Sequence, residues 1–331
     1  MTVRVGFFHP DPTETSSWYR GMGPLLTLQK MGFDMELKHL AREVYWSDLF
    51  GLDWVFMMRP ADPKAVKIMD RARSYGCKVW VDYDDDLIHL PESHKDWEYF
   101  CSDQARESMS YCISNADMVT ATTENLMKVI SQFKPKASMV IPNAINDILA
   151  PKPTAFNEVG NQLISWRGGP THGDDMRSVL DGMMDLNRKG FRFLFIGARP
   201  SMIYGKLLPG TFSHIPWAHF EVYTSLLSKH KPALHMTPLV IDALNQSKSN
   251  ISWLESTWFG GTVNLTRGGL NDKHWESSFF YETPEEFSAA ASIIMESPNV
   301  RKAQYEKSLQ IINEKYLLSK VSESRAEILR G

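Results

Sequence analysis

The residues best suited to chemistry stand in one run, where Lys248 and Ser249 precede Glu255 by seven and six positions. Small polar residues open the run, and the spacing of Ile251, Leu254 and Trp258 predicts a helix with those three on its buried face. Gly260 and Gly261 close it. A helix N-terminus carries partial positive charge and unpaired N–H groups, which suits a phosphate, and Lys248 adds a full charge. Glu255, two turns along, stands where a carboxylate accepts hydrogen bonds from ribose hydroxyls. The blander reading is an amphipathic helix of any α/β domain.

A second constellation begins at Arg167, Gly168 and Gly169 and continues to His172. It follows a predicted strand over Leu163–Trp166 and precedes a predicted helix over Asp174–Lys189. That order brings backbone N–H groups to the carboxyl edge of a sheet, where open α/β folds hold ligands. Arg167 has the planar donor fork that grips a diphosphate. His172 serves the site or caps the helix.

The third is Asp84, Asp85 and Asp86, directly after a predicted strand over Lys78–Asp82. Three chemistries compete for it. Clustered carboxylates hold a divalent metal, or one acts as base on an acceptor hydroxyl because crowded like charges raise a pKa. The third is a solvated, helix-capping turn. Tyr19 and Arg20 follow the first predicted strand, Val3–Phe8, and Arg59 follows the strand over Asp53–Met58; all three are candidate contacts for a phosphate or an acceptor.

These residues need a scaffold that presents them together. β-rich runs alternating with helical stretches predict parallel sheets flanked by helices. The helices read over Tyr19–Met31, Pro63–Tyr75, Glu98–Asn115 and Glu124–Phe133, with strands over Met118–Ala121 and Ser138–Ile141. His9–Ser17 reads as a loop. The unpatterned stretch 150–162 reads as a linker, after which the rhythm restarts with strands over Arg192–Ile196 and Thr262–Leu265. After Arg192–Ile196 a less regular portion holds Pro209, Pro216 and Pro232; a short element over His235–Pro238 and the helix at Glu255 come next, and a helix from Pro284 to about Met295 follows the last strand. The last thirty or so residues read as one charged helix without a stop signal.

With 331 residues the chain has room for two domains. Its apolar runs fall short of the roughly 20 residues that span a bilayer, and no signal peptide opens it. Three cysteines, Cys77, Cys101 and Cys112, lack metal-ligand spacing and point to a reducing cytoplasm. Residues 82–124 hold eleven acids against two bases, a net of −9 in a chain that carries −3 overall. The rest is therefore mildly basic, which permits a polyanionic acceptor. Walker, nicotinamide and Gly-x-Ser-x-Gly signatures are all missing from the sequence.

The run around Lys248 and Glu255 resembles the nucleotide-sugar motif of GT-B glycosyltransferases of the short phage and bacterial type, departing from it at Leu244, Ser247 and Ser252. Arg167–Asp175 and the aspartate turn after Tyr83 are similar to the same group. The resemblance implies two Rossmann-like domains facing across a cleft: 1–150 for the acceptor, 163–300 for the donor, and a terminal helix over 301–331 crossing back. It implies a metal-independent transferase without cofactor. Its donor is a nucleotide diphosphate sugar, with uridine as base, bound by Arg167, Gly168, Gly169, His172, Lys248, Ser249 and Glu255. An aspartate among Asp84, Asp85 and Asp86 handles the acceptor hydroxyl. Retaining members often carry a glutamate where Ser247 stands, so the stereochemical outcome stays open. Phage members work in the host cytoplasm, some on hydroxymethylated pyrimidines of double-stranded DNA; the alternatives are a surface-glycan or protein acceptor, or a non-catalytic nucleotide-sugar-binding module. A flipped base in DNA calls for an aromatic wedge, with Trp18, Tyr19, Trp46 and Trp97 as candidates.

Overall fold

The computed structural model describes residues 2–8, 15–40, 44–158, 161–199, 201–270 and 275–331. Residues 9–14 of the predicted loop and 159–160 of the predicted linker lie outside these. Among the described residues no helix is long and apolar enough to cross a membrane.

The chain forms two compact units, each built on a parallel sheet. The first holds β1 (Val3–Phe8), β2 (Met35–Leu40), β3 (Trp54–Met58), β4 (Lys78–Tyr83), β5 (Met118–Ala121) and β6 (Ser138–Val140), ordered β2-β1-β3-β4-β5-β6. β3 is buried along its whole length, as a strand covered on both faces must be. Val55, Met57, Val79 and Val81 face one core; Phe56 and Trp80, stacked at 4.2 Å, face the other.

Helices α1 (Gly23–Lys30), α2 (Pro63–Ser74), α3 (Asp103–Asn115) and α4 (Glu124–Ser131) connect these strands. Asp62, Ser102 and Thr123 cap α2, α3 and α4, their side chains accepting from Ala65, Ala105 and Leu126 N–H. Two predicted helices differ from the structure. Tyr19–Met31 opens instead with a π-turn over Trp18–Met22, and Glu98–Asn115 is interrupted before Ser102 caps α3.

The second unit holds β7 (Leu163–Gly168), β8 (Arg192–Gly197), β9 (Phe212–Pro216), β10 (Leu234–Thr237), β11 (Val263–Arg267) and β12 (Phe279–Tyr281), ordered β12-β11-β10-β7-β8-β9. Its helices include α5 (Leu180–Arg188), α6 (Phe220–His230), α7 (Ile251–Trp258), α8 (Phe287–Glu296) and α9 (Pro298–Lys315). The predicted helix Asp174–Lys189 breaks at Val179, leaving a short helix Gly173–Ser178 before α5. The supposedly irregular portion contains β9 and α6.

α7 departs from the expected amphipathic pattern, because every residue from Trp253 to Trp258 is buried while Ile251 is only partly so. Part of the predicted linker packs on this unit: Thr154 N–H donates to the Trp258 carbonyl at 2.7 Å, and the Trp258 indole to the Pro151 carbonyl at 2.9 Å.

The charged C-terminal stretch is also not one helix. It breaks at Tyr316 and Leu317, and α10 (Leu318–Arg330) follows. Residues up to Lys315 belong to the second unit, whereas Tyr316–Gly331 belong to the first. There Ala326, Ile328 and Leu329 enter the core beside Leu25, Leu28 and Trp80.

Candidate functional site

β7 delivers Arg167 to the carboxyl edge of the second sheet, one residue before the strand ends. Its Nη2 donates to Oε2 of Glu255 on α7, and the Tyr223 hydroxyl of α6 donates to the same oxygen at 2.9 Å. The guanidinium also lies 4.9 Å from the Tyr223 ring centre. The Glu255 side chain is 1% exposed, but Arg167 keeps 24% of its side chain accessible. Burial alone would lower the Arg167 pKa; the Glu255 charge more than reverses this, so the guanidinium stays fully charged. Burial, then Glu255, drives the Tyr223 hydroxyl well above its usual range, and it remains a donor.

A buried polar layer supports this trio. His235 on β10 bridges Ser165 Oγ at 2.8 Å and Ser252 Oγ at 3.0 Å, tying β10 to β7 and to the first turn of α7. Thr237 extends the layer by meeting Ser252 Oγ and donating to Asn264 Oδ1. Burial first, and the Arg167 charge second, push the His235 pKa down to about 3, so it is neutral at ordinary pH.

The glycine turn after Arg167 divides in role. A methyl group on Gly168 would lie 2.4 Å from the Trp166 ring, so packing requires glycine there. Gly169 has more room, its nearest neighbour being Thr171 Oγ1 at 3.8 Å. His172 is fixed by Asp175 at 2.8 Å. The other Asp175 oxygen accepts from Val240 N–H and Asn245 Nδ2, bracing the segment after β10.

Lys248 and Ser249 fall, by their contacts, in the first unit. The Thr123 hydroxyl donates to the Ser247 carbonyl at 2.9 Å, and Asn143 Nδ2 donates to Ser249 Oγ at 2.8 Å. Lys248 is within electrostatic reach of His94, whose pKa is lowered, chiefly by burial. The sequence run that seemed a single motif is thus shared between the units, with Glu255 in the second.

In the first unit the three aspartates have separate fates. Asp84, 9% exposed, is held by a two-pronged pair with Arg59, which also donates to Ser16 Oγ at 2.6 Å. Burial would raise the Asp84 pKa, but the Arg59 charge and hydrogen bonds outweigh it and keep the carboxyl below its usual range. Arg59 has φ of 46°, a strained conformation for a side chain of its size. Asp86 is buried and accepts from Ile88 and His89 N–H, with the His89 ring at 2.9 Å. These bonds close the turn that follows β4, and no helix begins there. Asp85 keeps the exposed carboxylate, 38% accessible and 3.6 Å from Arg59.

With two of the three carboxylates committed, the cluster does not converge on a shared metal position. Among the described residues no group of three or more His, Cys, Asp or Glu side chains is arranged to hold one.

Arg20 and Tyr19 also differ from the sequence expectation. Arg20 is fully buried; Nε and Nη2 donate to the two Asp82 oxygens at 2.9 and 2.7 Å, and Nη1 to the Ile141 carbonyl and Asn143. It spends its donors inside the unit, so it does not face a phosphate. Tyr19 is buried too, at 5%. Of the four wedge candidates Trp46 is exposed, and Trp18 and Trp97 are partly so. Sequence reasoning missed Tyr223 and His235: the first lies on a helix hidden among prolines, the second in a short strand whose only clue was its β-rich run.

No protein-family model matches this sequence, and no curated protein does. Solved structures do resemble it. A glycosyltransferase from Rickettsia africae superposes with a TM-score of 0.68 at 11% identity, covering 99% of this chain and 98% of the other. Anabaena HepE in complex with UDP-glucose gives 0.67 at 12% identity, covering 99% of both chains. A UDP-forming trehalose-phosphate synthase from Burkholderia vietnamiensis gives 0.62 at 10%, covering 100% of this chain and 97% of that one. Two α/β units on parallel six-stranded sheets are therefore the fold that this chain shares with those proteins over nearly its whole length.

Proposed function

We propose that this chain transfers a sugar from a nucleotide diphosphate sugar to a hydroxyl acceptor. One observation carries the reading: a permanently charged guanidinium, Arg167, is three-quarters buried at a sheet's carboxyl edge and aligned by Glu255 and Tyr223. Such a cation stabilises the leaving diphosphate as its charge grows, with little reorganisation in the transition state. The shared fold supports the same reading, since one relative holds UDP-glucose and another is UDP-forming.

In this mechanism Arg167 takes the diphosphate, Gly169 N–H approaches it, and His172 is held ready by Asp175. Glu255, itself buried, aligns Arg167 and acts on the donor through it. Lys248 and Ser249, next to the start of α7 in the chain, add a cation and a hydroxyl. On the acceptor side, Asp85 is the carboxylate we assign to position or deprotonate the hydroxyl, because Asp84 and Asp86 are committed to Arg59 and His89. Arg59 orients it. The transfer proceeds without metal or cofactor.

Our finer reading takes uridine as the donor base and a hydroxymethylated pyrimidine of double-stranded DNA as acceptor. Its support is the motif resemblance and the basic balance outside residues 82–124.

The test has two stages. UDP and UDP-sugars should raise the melting temperature, since they bind only the folded state, and a donor panel should release UDP when acceptor is present. R167M and E255Q should lose both. Binding without release from any donor would make the chain a non-catalytic module, and no nucleotide sugar binding at all would overturn the proposal. Hydroxymethylated duplex should stimulate release and bind with steep salt dependence; absence of binding at low salt removes the DNA acceptor while leaving the transferase intact.

A further inference from the structure

Arg325 of α10 is 1% exposed, yet its Nε and Nη1 have no hydrogen-bond partner among the described residues. The nearby carboxylate is Asp82, and it is already taken. Arg20 occupies both of its oxygens, and the Thr120 hydroxyl donates to one of them at 2.5 Å. Arg20 and Asp82 both act electrostatically on Arg325. Two buried guanidiniums therefore face one buried carboxylate, an excess of one positive charge.

No acid of α10 supplies the balance. Glu323 is paired with Arg330 on the exposed face, and Glu327 is exposed as well. Burial, with Arg20 second, pulls the Arg325 pKa down to about 9, which still leaves it charged at neutral pH. Two further donors nearby in the chain are orphaned: Ser322 Oγ, one turn before Arg325, and Ser17 Oγ, three residues before Arg20. An uncompensated buried charge costs several kcal/mol. Hydroxyls and guanidinium N–H groups are the donors that ligate a small anion.

We propose that the first unit binds a small monovalent anion, of chloride size, at Arg325 on α10, within reach of the Arg20–Asp82 pair. The anion completes the charge balance and fastens α10, which packs on α1 and contributes Ala326, Ile328 and Leu329 to the core. It is separate from the nucleotide-sugar reading, because none of its residues is assigned to the donor.

The experiment compares melting temperature in sodium chloride with sodium gluconate at equal ionic strength, gluconate being too large to enter. Chloride should raise the melting temperature along a saturating curve, by about 3–5 °C at ten times the half-saturating concentration. R325M, which removes the charge and keeps the volume, should melt at the same temperature in both salts. Equal melting of the natural chain in the two salts, or an unchanged chloride response in R325M, overturns the site and leaves water as the partner of these groups. Should R325M fail to fold, chloride-35 line broadening by the natural chain, retained with saturating UDP and relieved by bromide, reads the same site; no broadening overturns it.

Discussion

Arg20–Asp82 in the first unit and Arg167–Glu255 in the second are both arginine–carboxylate pairs anchored on a strand near its carboxyl end, and they differ in one respect. Arg20 and Asp82 are 0% and 1% exposed, and Arg20 directs donors from all three of its nitrogens inward, to Asp82, Ile141 and Asn143. Arg167 has the same chemistry but keeps a quarter of its side chain accessible. A buried ion pair is weak evidence of stability in itself, and removing one member is severe because the other is stranded. The contrast therefore separates a pair that holds a fold together from a pair whose cation has capacity left for a ligand.

The largest effect should come from breaking the closed pair. D82A strands Arg20 beside Arg325, and urea unfolding should show a loss of about 3–5 kcal/mol, or no folded protein. R167M should sharpen the contrast: sugar transfer should fall about 10²–10³-fold, the scale of one lost transition-state donor. Its unfolding free energy should change less than that of D82A, because a stranded buried carboxyl can take up a proton and still meet the Tyr223 hydroxyl, whereas a stranded guanidinium cannot shed its charge. Equal destabilisation by the two variants would erase the distinction.

The smallest expected effect concerns pH. His235 is depressed from 6.5 to about 3 in the folded chain, so the unfolded chain binds its proton first. Its contribution is fully present above pH 6.5 and is lost as pH falls toward 3. Between pH 6.5 and about 4.5, above the carboxylate range, H235Q should flatten the acid limb of a stability–pH curve. His94 is also lowered and adds to that limb, so H94Q serves as the control from the first unit. An unchanged slope in H235Q would mean that His235 titrates normally.

Much of the scaffold was legible where the pattern was strong. Among the interior strands, β3 is apolar throughout, and β4 and β8 carry the apolar runs Val79–Val81 and Phe193–Ile196. The misses have a common cause: β2, β9 and β12 are edge strands, open on one side, with sequences such as Met35–Leu40 that mix charged and apolar residues. An edge strand receives its identity from the neighbour it pairs with, and no local periodicity announces it. α6 was hidden for a similar reason, among prolines that suggested irregularity.

By itself the sequence determined the residue types and their placement along the chain: an arginine and two glycines at the end of one strand, a glutamate on a following helix, and three aspartates after another strand. Those are local matters, set by propensity and by which residues follow a strand. Only the tertiary structure decided the partners. It closed Arg20 on Asp82, set Arg59 against Asp84, bound Asp86 to its own turn, and joined Arg167 to Glu255 across 88 positions. Whether a charge is spent inside or kept for a ligand depends on burial and on groups far away in sequence, and strand order, not spacing, brings those together.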